Sequence, residues 1–457
     1  MVATNVEDIY RLSPLQRGML LHTLLDSSGD MYLGQDVYVV DGPLDTDLLI
    51  EAWQEVFAAH PALRTSFQWE GLDQPVQIVH RHVTPPFQLE DWRGQPEEDQ
   101  QQRLAERMSK DRAAGFDLTV PPLQRLLVVR FGDERHALAW THHHLLMDGW
   151  SVPLFMNEVM SQYRKLTIGG PGPAPAPPFR DYIAWLDRQD MDAARKFWSD
   201  TLGDVSRRPL RGLRPVNPHR STDEARRIVV DIADTIEDGL NATAARHRVT
   251  ATTVMDAAWA AVLHRHADRA GSEVVLGLVS SGRSAQLPHV DRMIGMLINT
   301  LPVAVAVPED EELGQWLRDV QRREAAARHY EYSPLAEIKK WVGAPGQQLF
   351  DSIVVFANYD FGVSDDGPLI VRSQNTFDKI SVPLAVTLTP RPVSELQLIW
   401  HGERLDEATV KALMAGLLAA LDAIGSAERT TSVLSAVDAA APAPLASPAP
   451  APPGHRG

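Results

Sequence analysis

Three consecutive histidines, His142, His143 and His144, precede Asp148 and Gly149 within a single eight-residue run. A neutral imidazole can accept a proton from an attacking amine or hydroxyl, because its ordinary pKa lies near working pH. Residues 136–141 carry a strand pattern that runs into the histidines. In extended chain alternate side chains share a face, so His142 and His144 point one way and His143 the other. Gly149 lets the backbone turn sharply or pack closely, and Asp148 returns a carboxylate to the same neighbourhood. From these residues alone three readings stay open. The histidines can be buried structural residues with satisfied hydrogen bonds, since His is of intermediate burial. They can contribute to a metal site through His142, His144 and Asp148, although neighbouring strand histidines diverge and no second His-x-x-x-His pair supports one. They can serve acid–base catalysis. Periodicity does not separate the first reading from the third.

The elements that must hold these residues alternate between strand and helix patterns. Residues 123–130 and 136–141 read as strands around the turn Gly132-Asp133-Glu134. Asp45 suits the cap of a helix with Leu48, Leu49, Ala52, Val56 and Phe57 on one face. Further on, Thr250 suits the cap of a helix carrying Val254, Trp259, Val262 and Leu263, followed by strands at 274–279 and 352–356. A mixed α/β layer architecture is expected in each half. At 457 residues the chain is long for one core, which favours two lobes. The Pro-rich stretch 171–178 is the strongest internal break, because it favours an extended, semi-rigid connection. It separates an N-terminal lobe, 1–170, from a C-terminal lobe, 179–436, and the Ala/Pro-rich tail 437–457 reads as disordered by composition.

Composition removes several classes of function. No cysteine is present, which excludes disulfides, thiolate zinc sites and a cysteine nucleophile. No apolar run of about 18 residues suggests a membrane span, and the N-terminus lacks a signal-peptide pattern. A cytoplasmic chain is therefore expected, and the sequon at Asn241 is without consequence. A net charge of −16 argues against a nucleic-acid binder, which needs a basic face. Neither a G-x-S-x-G elbow nor a phosphate loop is present.

The run His143-His144-Leu145-Leu146-Met147-Asp148-Gly149 resembles the H-H-x-x-x-D-G signature of nonribosomal peptide synthetase condensation domains. Other motifs of that family are matched in its order. They are Ser13-Pro14-Leu15-Gln16-Arg17-Gly18-Met19-Leu20, His60-Pro61-Ala62-Leu63-Arg64-Thr65-Ser66-Phe67 and Phe179-Arg180-Asp181-Tyr182-Ile183-Ala184-Trp185. Ile294-Gly295-Met296-Leu297-Ile298-Asn299-Thr300-Leu301-Pro302, Glu331-Tyr332-Ser333-Pro334-Leu335-Ala336-Glu337-Ile338 and Phe350-Asp351-Ser352-Ile353-Val354-Val355-Phe356 complete the series.

The resemblance implies an α/β fold of two chloramphenicol acetyltransferase-like lobes, mixed sheets with flanking helices, in a V-shaped pseudo-dimer. His144 is then the catalytic residue at the junction, reached by two tunnels, and acts as general base or positions the nucleophile. The implied reaction moves an acyl group from a carrier protein's phosphopantetheine thioester to an amine or alcohol, small-molecule or carrier-bound. The chain itself holds no cofactor or metal. Asp148 is expected to pair with Arg64 as a brace, His143 to pack, and Gly149 to admit the acyl chain or arm. Ser281 and Asn299 are weaker candidates for the tunnel wall, the loop at 280–290 for its floor, and segments of the second lobe are expected to cross onto the first. Arg207, Arg208, Arg211 and Arg214 form a basic run that could dock a carrier, although a solvated loop is the favoured reading. A heterocyclising relative would have aspartates in place of the two histidines, and an epimerising one a further acidic H-G-R-E-like motif that we do not find. The alternative is a catalytically inactive recruitment module, which usually lacks the second histidine. Motif wording resembles the subtype taking D-configured donors, and the chain's own Met and frayed tail suggest a free-standing enzyme.

Overall fold

The strand Arg135–His143 lies at the centre of a five-stranded sheet, buried along all but its first residue. It pairs antiparallel with Gln124–Arg130 on one side and with Leu33–Asp41 on the other. Phe87–Asp91 forms one edge, parallel to Gln124–Arg130. The opposite edge is Ile370–Asp378, laid antiparallel along Leu33–Asp41. That strand comes from far beyond the Pro-rich break, so the N-terminal sheet is completed by the C-terminal half. The implied crossover is thus present, and residues 370–378 do not belong with the lobe that a simple division of the chain assigns them to. A computed structural model of the chain describes residues 5–25, 31–203, 205, 209–214, 225–268, 271–283, 286–357, 369–378, 382–391 and 393–440, with the backbone alone at 25 and 373–378.

Helices cover both faces of this sheet. Thr46–Ala59 is capped by Asp45, whose carboxylate accepts from the amides of Asp47 and Leu48 at 3.0 and 3.1 Å. It buries Leu49, Ala52, Trp53, Val56 and Phe57. With the helix Ser151–Ile168 it packs Trp53 and Phe155 on Trp140, ring centroids 5.2 and 5.0 Å away. The reverse face, with Ala137 and Ala139, meets Leu104 and Met108 of the helix Glu97–Ala114. A small sheet of Val6–Arg11, Val76–His80 and Thr65–Gln68 stands beside the lobe.

Residues 171–178 have no regular structure, as their prolines dictate. The C-terminal lobe is built on a six-stranded mixed sheet, in the order Asn299–Ala306, Glu273–Ser280, Ser352–Phe356, Leu384–Thr389, Glu395–His401 and Ala225–Asp231. Its central helix, Ala251–His266, is capped by Thr250, whose hydroxyl accepts from the Thr253 amide at 3.1 Å. That helix is buried on nearly every side by Asp234–His247, Leu313–His329, Glu407–Ile424 and Thr430–Ala440. The last of these helices buries Val433, Leu434 and Val437, so the ordered lobe continues past the expected boundary at 436. Residues 441–457 of the tail lie outside the described residues.

Candidate active site

The central strand ends at His143 and the chain turns. The His144 amide donates to the Tyr32 carbonyl at 2.9 Å, and the Leu146 and Met147 amides close back on His143 and His144 at 3.0 and 3.1 Å. His144 is half-buried, with Nδ1 3.4 Å from the Met147 carbonyl. With a proton on Nδ1 turned to that carbonyl, Nε2 is the accepting nitrogen of the neutral ring. The pleat separates the three histidines as expected. His142 and His144 meet edge to face, centroids 5.4 Å apart, and His142 donates from Nε2 to the Asp36 carboxylate at 3.0 Å. His143 points the other way, fully buried, with Nδ1 accepting from the Leu145 amide at 3.1 Å and Nε2 without a partner. Burial, reinforced by the neighbouring His144 and His142, pushes its pKa down to about 3. It is therefore a neutral packing residue at any ordinary pH.

Asp148 is fully buried, and its partner is Arg283. The guanidinium grips it with both terminal nitrogens, at 3.0 and 3.1 Å. The Ser151 amide and hydroxyl add contacts of 2.8 and 2.9 Å, and the Leu297 and Ile298 amides contacts of 3.0 and 3.2 Å. Each carboxylate oxygen thus faces three donors, which uses its accepting capacity. Asp148 stitches the turn after His144 to the C-terminal lobe. The expected pair with Arg64 is not formed. Arg64 instead donates to Glu7 at 2.8 Å, to the carbonyl of Ala58 at 3.1 Å and to that of His80. It braces the small sheet against the end of the helix Thr46–Ala59. Its side chain reaches toward the strand Val6–Arg11, while the second lobe delivers Arg283 to Asp148.

Arg283 was the functional residue that sequence reasoning missed, although its loop was singled out as tunnel floor. The signal lay in Ser281-Gly282-Arg283. Gly282 has φ +66°, and a Cβ there would lie 1.9 Å from the Leu297 carbonyl oxygen, so only glycine fits the turn that aims Arg283. Beside this brace a cavity of about 500 Å³ is lined by Trp150, Asp256, Ser281, Arg283, Glu331 and Phe356 among others. Ser281 is therefore on its wall. Asn299 is not among the lining residues, for its amide donates to the carbonyls of Glu331 and Ser333 at 2.8 and 2.7 Å and braces that turn. Burial raises the pKa of Glu331, which accepts from the Ser280 hydroxyl, and raises Asp256 strongly beside Glu324. Gly149 sits half-buried in the turn and is not in the left-handed region. Arg211 and Arg214 are exposed, whereas Arg207 and Arg208 lie outside the described residues. Among the described residues no group of three or more His, Asp or Glu side chains could hold a metal ion, and no helix is long and apolar enough to cross a membrane.

The family model described as "Condensation domain" matches residues 6–429. Linear gramicidin synthase subunits B and D of Brevibacillus parabrevis are 36% and 34% identical over 92% and 90% of this chain, which spans 8% of the length of each. Among solved structures, the X-domain from teicoplanin biosynthesis is similar with a TM-score of 0.78 and 21% identity, over 94% of this chain and 98% of that one. The first condensation domain of the CDA synthetase is similar with a TM-score of 0.72 and 20% identity, over 93% and 98%. The two lobes are thus the chloramphenicol acetyltransferase-like pseudo-dimer that the motifs implied.

Proposed function

This chain belongs to the condensation domain family, and we propose that it joins a carrier-bound acyl group to an amine or alcohol. The acyl group arrives as a thioester on the phosphopantetheine arm of a carrier protein, and the acceptor's nitrogen or oxygen attacks its carbonyl. His144 takes the proton that the nucleophile loses as the new amide or ester bond forms. The tetrahedral adduct then collapses, the carbon–sulfur bond breaks, and the arm leaves as thiol after regaining a proton. The carrying observation is the half-buried His144 at a strand end, on a turn that Asp148 and Arg283 stitch to the second lobe, with Arg283 also lining the polar cavity. Asp148 is left out of the proton transfer, because its oxygens are committed to Arg283, Ser151 and two backbone amides. Its contribution is to hold the turn still. Arg211 and Arg214 are exposed, which is compatible with a carrier docking on that run.

Reconstitution with an acyl-loaded carrier protein, offering amine and alcohol acceptors side by side, tests this reading. A general base or a positioning group contributes roughly a hundredfold to ten-thousandfold, and His144→Ala is expected to lose that much in kcat. Equal, background product from wild type and His144→Ala with every acceptor would sink it. A tight complex with a partner enzyme, formed without turnover, would then favour a recruitment module.

A further inference from the structure

We propose that Asp36 and His142 are positioning residues for His144, supplying from the sheet the orientation and negative charge that Asp148 has committed elsewhere. The proposal rests on His144 being the catalytic group and adds how that group is held.

The strand register produces the arrangement. Gly34 lies directly across from His142, and Asp36 lies across from Trp140 on the same face. Because Gly34 has no side chain, the His142 ring lies down over its backbone; a Cβ at Gly34 would stand 2.5 Å from Cε1 of that ring. So placed, the ring reaches the diagonal neighbour and donates from Nε2 to Asp36 at 3.0 Å, in a pair whose side chains are only 1% and 5% exposed. Trp140 packs against the same ring with centroids 4.7 Å apart. His142 is thereby held by a glycine, an indole and a carboxylate. Along the same face it meets His144, in edge-to-face contact at 5.4 Å and 87°.

Two consequences follow from that contact. A fixed His142 limits the rotation of the His144 ring, which keeps Nε2 aimed where the nucleophile must come. When His144 takes a proton, the Asp36 carboxylate lies one imidazole away in a buried setting, where a nearby anion favours the cation. Next to His144 on the strand is His143, and the turn that follows carries Asp148, held by Arg283. His22, on the helix Pro14–Leu25, is 2.8 Å from the hydroxyl of Tyr32, whose carbonyl receives the His144 amide. Asp36 is an anion whose partner imidazole touches His144.

The test compares wild type, Asp36→Asn and His142→Phe in the full chain. With a loaded carrier and an accepted nucleophile, Asp36→Asn is expected to lower kcat roughly tenfold at unchanged KM for the carrier, and to move the acid limb of the kcat profile about half a pH unit lower. His142→Phe is expected to show the same limb movement with a larger loss of kcat. The second readout needs no turnover. In nitrogen-15 NMR of labelled histidines, the signal lost in His144→Ala identifies His144, and its titration should move in the same direction in Asp36→Asn. Coincident His144 titrations in wild type and Asp36→Asn overturn the proposal. So does a rate loss that only tracks the folded fraction. If wild type turns over no acceptor, the acyl-transfer reading fails by itself, and the titration alone decides the positioning role.

Discussion

One peptide bond separates His143 from His144, and the strand's pleat gives them different surroundings. His143 faces the side of the sheet opposite His142 and His144 and has its pKa pushed down to about 3, mainly by burial. The sign of the resulting linkage is definite. Below the ordinary histidine value of about 6.5 the unfolded chain binds a proton that the folded chain refuses. Stability therefore falls as pH drops from about 6.5 toward 3, with a slope of about 1.4 kcal/mol per pH unit from this residue. His143→Asn is expected to flatten that part of the curve, measured by urea unfolding at pH 7, 6, 5 and 4. Parallel curves for variant and wild type would show that the residue is not buried neutral. The separation of the histidines was legible in the sequence, because alternation along a strand depends only on local geometry. The choice between structural and catalytic histidine was not, because both roles place the same residue types at the same spacing. The ordered motifs along the chain favour the catalytic role only through the family resemblance they carry.

At the scale of elements, the Asp148–Arg283 pair joins residues 135 positions apart, and no local pattern could name it. An aspartate in a turn beside a helix start fits many arginines, and Arg64 was a reasonable candidate until the lobes were placed. Asp45 and Thr250, by contrast, cap helices as expected, since a cap reads its own next three residues. The two arginine clamps make separable predictions. Removing one member of a well-buried pair costs about 3–5 kcal/mol, so Asp148→Asn and Arg283→Gln are each expected to destabilise substantially. In a double-mutant cycle these two should be coupled, with a combined cost well below the sum. Asp148→Asn and Arg64→Gln should instead add within about 0.5 kcal/mol, because they share no partner. Coupling between Asp148 and Arg64 rather than Arg283 would reverse the assignment.

On the scale of the whole molecule, two features tie the lobes together. One is the cluster in which Asp148 receives Arg283 and the amides of Leu297 and Ile298. The other is the strand Ile370–Asp378, which leaves the C-terminal half to become an edge of the N-terminal sheet, with buried Val371 opposite Val40. Neither tie was visible as a sequence-local signal, for each depends on how two separately patterned halves meet. With both in place, each lobe's unfolding exposes surface of the other, and calorimetry is expected to give one cooperative transition. Arg283→Gln loosens the first tie, and Val371→Asp loosens the second by placing a carboxylate in a buried strand, at a cost of several kcal/mol. Either variant alone is expected to lower the midpoint while keeping a single peak, because the remaining tie still couples the lobes. The double variant is expected to split the peak in two, with the incomplete N-terminal sheet melting first. A single symmetrical transition in the double variant would mean that the lobes are coupled through a broader surface than these two ties, and that the catalytic turn is held by more than Asp148.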